Sequence, residues 1–373
     1  MELYFKYLIY FFCFFPFIFP INTLGTDIQF YAFIVSIAYL VSLSEYHYSI
    51  EIKIFCFVFF IAAIIGVLSA SNIMILIKCL FQYASLFIIS LAVYNLLIRE
   101  GGLDESLCKK LILCWFFVGA VQTFIYPNFF MSIVANARTT LDRGVCALAS
   151  EPSFFGLQCF YFIFIAAIFD KCRNLYWLMI SIMALLFAQS FTGLAFVFFM
   201  LLCFASDHIS FRRISLKWIF ISLTVIATSS YFVVDFFRNS RLGKIISVLV
   251  SNQNLVSKDE SSSVRFRAIT ESLQTSLDNV FMPNGFTERI GSMFGGILQE
   301  LGVLGLPLMG MITYLFASYF SKYSVKYVAF VICFLLLFTN MEMANPTLAF
   351  VLAIGIYRKN HCKQQYLIKP SCL

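Results

Sequence analysis

One apolar stretch follows another along this 373-residue chain, and that succession constrains its fold more than any single motif does. The stretches lie at 4–21, 28–43, 53–69, 72–98, 111–126, 155–169, 175–189, 192–205, 218–236, 294–320, 326–340 and 346–357, with charged or turn-rich breaks between them. Crossing a bilayer takes about 20 apolar residues, so the shorter stretches must extend into the interface at their ends. Hydrophobic residues make up 61% of the chain and charged residues 12%, against about 25% charged in an ordinary soluble domain. A water-soluble fold of this size would be left with large sticky patches. The expectation is an all-α, polytopic transmembrane protein of about twelve spans, with ten or eleven as alternatives, forming a single membrane domain over 1–373. The region 175–205 is too long for one helix, and Gln189-Ser190-Phe191-Thr192-Gly193 reads as the turn of a hairpin. No small-x-small cleavage site precedes Asn22, so the first stretch reads as a retained helix.

Basic residues give the orientation. With the N-terminus in the cytoplasm and spans alternating, the inner set is Lys6, Lys53, Arg99, Lys109, Lys110, Lys171, Arg173, Arg212, Arg213, Lys217, Lys322, Lys326, Arg358, Lys359, Lys363 and Lys369. The short outer loops 22–27, 70–71, 190–191 and 341–345 hold none, so both termini are expected inside. Two outer loops are long, 127–154 and 237–293. They carry Arg138, Arg143, Arg238, Arg241, Lys244, Lys258, Arg265, Arg267 and Arg289, whereas lysine predominates inside. Long loops escape the charge rule, so topology does not demand this arginine bias. Arginine grips phosphate with a bidentate fork; the plainer explanation is solvated charge or head-group anchoring.

Several chemistries lose support. Of the 12 cysteines only Cys146 falls in an outer loop, so no disulfide framework is expected there. His47, His208 and His361 all fall on the inner side, which leaves the outer loops without a His base or a His-rich metal site. There is no D-x-D pair, Walker loop or G-x-G-x-x-G loop. No metal ion, cofactor or nucleic acid partner is therefore expected.

Three segments carry the residues of interest. At the mouth of the sixth span, Ser150-Glu151-Pro152-Ser153 puts a carboxylate where a proline starts a helix, not far in sequence from Arg138 and Arg143. Glu151 is a helix-start residue on one reading and a general base or sugar-hydroxyl acceptor on the other. In the second long loop, Ser261-Ser262-Ser263 caps an expected amphipathic helix over about 263–281. Its apolar stripe is Phe266, Ile269, Leu273, Leu277 and Val280, flanked by Arg265 and Arg267 and stopped by Pro283-Asn284-Gly285. Those arginines either snorkel or bind phosphate. Finally, Gly295-Gly296 through Gln299-Glu300-Leu301-Gly302 to Gly305 opens the tenth span, its small residues permitting close helix packing. Glu300 is an ionisable group near the outer surface of that span, and Lys78 is the other charge inside a span.

In this order the segments resemble the Wzy-type O-antigen and surface polysaccharide polymerases of bacterial envelopes. The matching residues are Arg143-Gly144, Ser150 to Gly156, Ser190-x-Thr192-Gly193, Arg265 with Pro283-x-Gly285, and Glu300-Leu301-Gly302-x-x-Gly305. The resemblance covers most of the chain in layout and about forty residues in motif. It implies a GT-C-like membrane glycosyltransferase in the bacterial inner membrane, with its site facing the periplasm. A growing glycan would pass from undecaprenyl diphosphate to the non-reducing end of a lipid-linked repeat unit. A flippase and a chain-length regulator of the same pathway are the implied partners, beside membrane lipids. On that basis Glu151, Arg143 and Arg265 are the expected catalytic residues. Arg138, Arg143, Arg265 and Arg267 are the expected diphosphate-binding residues, with Glu300 and Arg241 in support. The related ligases carry a His before the tenth-span motif, where this chain has Gly291-Ser292-Met293-Phe294. A lipid-linked oligosaccharide flippase is the rival from another class, although no internal repeat is visible. A non-enzymatic scaffold, its arginines serving as lipid contacts, is a third.

Overall fold

The computed structural model describes residues 2–19, 27–70, 72–138, 144–208, 270, 274, 282–286, 292–339 and 342–368. Helices occupy every apolar stretch named above except 218–236, which lies outside the described residues. They are α1 (Glu2–Phe14), α2 (Tyr31–Val41), α3 (Ile50–Ser69), α4 (Ile73–Glu100), α5 (Glu105–Phe124), α6 (Pro152–Ala166), α7 (Arg173–Ile182), α8 (Phe191–His208), α9 (Met293–Leu301), α10 (Leu306–Ala317), α11 (Tyr323–Leu336) and α12 (Pro346–Ile368). Among the described residues there is no strand, only an isolated bridge between Ile18 and Val134. By length and composition, 4 helical segments suffice to cross a membrane: α3, α4, α5 and the run Met293–Ala317. Shorter apolar helices make up most of the rest. The chain is an all-α protein with the character of a membrane-embedded bundle.

Local chemistry sets the helix ends. Ser49, Asn72, Asp104 and Ser292 accept from backbone N–H groups at the starts of α3, α4, α5 and α9. Pro152 and Pro307 sit in the first turns of α6 and α10. Gly101, in the left-handed region, ends α4. α1 stops at Phe14 and does not run to 21 as expected, because Pro16 has no N–H to offer and disfavours helix in the residue before it. The expected hairpin in 175–205 is present: α7 passes through a π turn over Met183–Phe187, and α8 starts at Phe191.

α6 apart from Ser153 and the first eleven residues of α12 are buried, and α12 packs along α4. α3 is turned the other way round from a soluble helix. Phe57, Phe60, Ile64, Val67 and Leu68 recur at helical spacing on its exposed face, while Ile52, Phe55, Val58, Ala62 and Gly66 pack inward. Such an outward apolar stripe is unfavourable in water and is satisfied by lipid.

Charges gather at the two ends. At one end Lys6 lies 2.8 Å from Glu100 and 3.0 Å from Asp104, Lys109 pairs with Glu105, and Lys359 pairs with the fully buried Glu51. Asp207 there accepts from the Ser321 N–H and hydroxyl and from the Lys322 N–H, tying α8 to the α10–α11 turn. At the opposite end Arg138 pairs with Asp27. Each of these pairs joins residues that alternating spans put on one side.

Burial pushes the Asp207 carboxyl up, but the two backbone N–H donors and the Ser321 hydroxyl outweigh it and hold the acid below its ordinary range. A depressed carboxyl stabilises the fold above the unfolded value and ceases to do so as pH falls through the folded one. Asp207→Asn is therefore expected to cost about 1–3 kcal/mol at neutral pH. In detergent melts, the gap to wild type should narrow only below about pH 4.

Candidate functional site

The segment leading to α6 packs back into the bundle, with Cys146 to Ser150 buried. Three polar contacts from Gln122 of α5 make this possible. Its Nε2 donates to the carbonyls of Phe129 (2.6 Å) and Ala147 (2.9 Å), and its Oε1 accepts from the Ala147 N–H (2.7 Å). Val145 N–H donates to the Phe187 carbonyl at the end of α7. Gly144 lies so close beneath Phe187 and Ala188 that a Cβ would stand 2.3 Å from both carbonyl oxygens. Only glycine fits there, which gives a physical reason for the Arg143-Gly144 pattern.

This packing carries the chain to Glu151 at the start of α6. Arg138 N–H donates to the Ser150 carbonyl at 2.8 Å, fixing the two arms of the loop together. The Arg138 guanidinium then pairs with Asp27 at 2.5 Å and lies 3.7 Å from the Glu151 carboxylate. Asn136 also donates to Asp27, and the Ser153 hydroxyl donates to Glu151 at 2.7 Å. Glu151 occupies the N-cap position without its side chain capping the helix. Its carboxylate instead faces Ser153 and Arg138. Sequence reasoning missed Asp27, although it is the sole charge in the outer loop 22–27.

The Ser150–Gly156 and Ser190–Gly193 motifs meet where α6 crosses α8. A Cβ on Gly156 would stand 2.9 Å from the Gly193 Cα, and one on Gly193 would stand 2.4 Å from the Gly156 Cα. This close approach leaves a cavity of about 20 Å³, room for one water, lined by Ser153, Thr192 and Thr339 among others. Thr339 also accepts from the Met293 N–H, so α9 begins beside the same spot.

α9 bears Glu300, only 3% exposed, whose Oε2 accepts from the Tyr83 hydroxyl at 2.6 Å. Its Oε1 is buried with no hydrogen-bond partner. The expected continuous span 294–320 is broken immediately beyond it: Gly302 has φ +58°, and a 3-10 turn runs Gly302–Gly305 before α10 begins. Gly305 folds back against its own preceding turn, its missing Cβ position 2.5 Å from Ile297. At this position the expected helix–helix packing gives way to a local bend. Pro283-Asn284-Gly285 docks on the same break, with Asn284 N–H donating to the Gln299 carbonyl and Phe286 N–H to Ser69.

Between α2 and α4 opens a cleft of about 630 Å³. Its walls are apolar (Phe33, Ile75 and Phe81 among others), and Arg138, Asp27, Glu342, Gln82 and Lys78 bring polar groups into it. Lys78 is exposed in this cleft and has no hydrogen bond or ion pair among the described residues. Arg143, Arg241, Arg265 and Arg267 lie outside the described residues. So does the expected helix 263–281, apart from Thr270 and Gln274, which are both helical.

If Gln122 holds the loop, Gln122→Leu leaves an N–H and two carbonyls unsatisfied in the interior. It should destabilise the protein by about 2–4 kcal/mol. Limited proteolysis should cut within 127–150 of that variant faster than in wild type.

No protein-family model, no curated protein and no solved structure matches this chain.

Proposed function

We propose that this protein is a membrane glycosyltransferase that polymerises lipid-linked repeat units of a surface polysaccharide. On this reading it spans the bacterial inner membrane about twelve times, with both termini in the cytoplasm and its site on the periplasmic side. The observation that carries the reading is Arg138, which lines an apolar-walled cleft beside Asp27 and lies 3.7 Å from the Glu151 carboxylate. A guanidinium, a carboxylate and an apolar channel together suit a substrate that is anionic at its head, rich in hydroxyls, and attached to a long hydrocarbon chain. The meeting of the Glu-Pro-Ser and Ser-x-Thr-Gly motifs at the α6–α8 crossing adds support.

In the proposed reaction a hydroxyl oxygen of the acceptor sugar bonds to C1 of the donor glycan. The bond between C1 and the diphosphate oxygen breaks, and both electrons leave on undecaprenyl diphosphate. Glu151 takes the hydroxyl proton. Arg138, held by Asp27, stabilises the charge developing on the diphosphate, joined by Arg143, Arg265 and Arg267. Glu300 and Arg241 support the acceptor side. No nucleotide or metal enters this scheme, because the leaving group arrives activated and guanidinium groups supply the positive charge. A flippase and a chain-length regulator are the expected pathway partners. The helix break after Glu300 favours one rival, transport of the lipid-linked oligosaccharide, since broken helices line many transporter sites.

Turnover separates the two. Purified protein given lipid-linked repeat units, without nucleotide or metal, should yield a polymer ladder; transport without ladder formation supports the rival. Glu151→Gln should slow polymerisation by about 10²–10⁴-fold. Cysteines introduced at Arg138 and Arg265 should label from the same side of the membrane. Labelling from opposite faces ends the proposal.

A further inference from the structure

A second cavity, of about 600 Å³, lies at the opposite end of the bundle, where α6 turns into α7. Its lining includes Asp170, Arg173, Asn174 and Arg358. The two arginines come from different helices, α7 and α12, and aromatic rings position them. Arg173 stacks 5.1 Å from the Trp177 ring centre and Arg358 stacks 5.4 Å from that of Tyr319. Neither has a carboxylate partner among the described residues. Arg173 donates one Nη to His208 at 2.9 Å, and both arginines are half-buried. At this end Lys6, Lys109 and Lys359 have acidic partners within hydrogen-bond distance, and Lys53, Lys110 and Lys171 are exposed to water.

The start of α7 faces the same cavity. Cys172, in the left-handed region with φ +64°, precedes it and supplies no side-chain cap, so first-turn N–H groups are left over. A helix N-terminus and two guanidinium groups from different helices thus line one space. Asp170 is the one carboxylate on the lining and is exposed at its rim. A tetrahedral anion with several acceptor oxygens suits two guanidinium forks and a helix N-terminus better than chloride or a single carboxylate does.

We infer that this cavity binds a phosphate group, presented either by an anionic phospholipid head or by a soluble phosphate compound, with Arg173, Arg358 and the α7 N-terminus as its donors. The cavity is larger than phosphate alone and falls in the usual range for ligand sites, about 300–1,000 Å³. The site lies away from Arg138 and Glu151 and does not depend on the polymerase reading.

The test uses the full chain in two settings. In neutral detergent, inorganic phosphate is titrated while the melting temperature is read. In nanodiscs, retention of phosphatidylglycerol against phosphatidylcholine is read by native mass spectrometry. Saturable stabilisation by phosphate in detergent identifies a soluble source, and selective retention of phosphatidylglycerol alone identifies a lipid head. In whichever setting binds, Arg173→Gln with Arg358→Gln should weaken binding about tenfold or more. Arg173→Lys with Arg358→Lys keeps the charge and loses the forks, so it should weaken binding less than the Gln pair does. Lys53→Gln with Lys110→Gln removes equal charge at the same end and should leave binding unchanged. The inference is overturned by no saturable binding in either setting, or by an equal loss in the Lys53/Lys110 variant.

Discussion

Inside a bilayer a backbone carbonyl or a charged head has no water to turn to, and most of this architecture follows from that shortage. Helices satisfy their own backbones, so the apolar stretches become helices. Ionisable groups move to the ends, where Lys6 meets Glu100 and Asp104 at one face and Arg138 meets Asp27 at the other. Exceptions must be explained one at a time. The segment Cys146–Ser150 is not helical and yet is buried, which works because Gln122 returns three of the hydrogen bonds that water would have made. One amide side chain thereby fixes the approach to α6, and with it the position of Glu151.

The same shortage accounts for the geometry around Arg138. A lone arginine at the membrane surface would bend toward water and sample many rotamers. Here Asp27 holds it, its own N–H is tied to the Ser150 carbonyl, and Glu151 lies on its remaining side. A guanidinium fixed in this way needs little rearrangement to meet an incoming anion, and that is the condition under which a charge lowers a barrier. Ser153 does for Glu151 what Asp27 does for Arg138, orienting its carboxylate through the hydroxyl.

Much of this was legible in the sequence, for reasons that also mark where reading stopped. Helix positions followed from apolar run length, and the hairpin at Gln189–Gly193 from its turn residues. The end of α1 was misjudged because hydropathy outweighed Pro16, whose effect on the backbone is local and does not depend on how apolar its neighbours are. The break at Gly302 was hidden for a related reason: Gly295 to Gly305 fits helix packing and helix interruption equally well, and only the backbone angle at Gly302 separates them. The nearness of Arg138 to Glu151 follows from their types and order within one loop. That of Asp27 does not, since it lies more than a hundred residues away in sequence, and nothing in the loop 22–27 reveals that a cation from 138 reaches it. Gln122 was invisible for the same reason, being a polar residue within an apolar span whose partners are backbone atoms.

Glu300 shows how these strands join. A carboxyl that is 3% exposed with one oxygen unpartnered is expensive in any fold and more so in hydrocarbon. If close packing were its only role, glutamine or leucine would serve at lower cost. The surroundings are arranged around it: Tyr83 donates to one oxygen, the helix is interrupted two residues later, and Pro283–Phe286 closes over that interruption through Gln299 and Ser69. Tyr83 also follows Gln82, which lines the cleft shared with Arg138 and Lys78. The buried carboxyl is thereby one of the points at which α4, α9 and the Pro283–Phe286 segment are tied together.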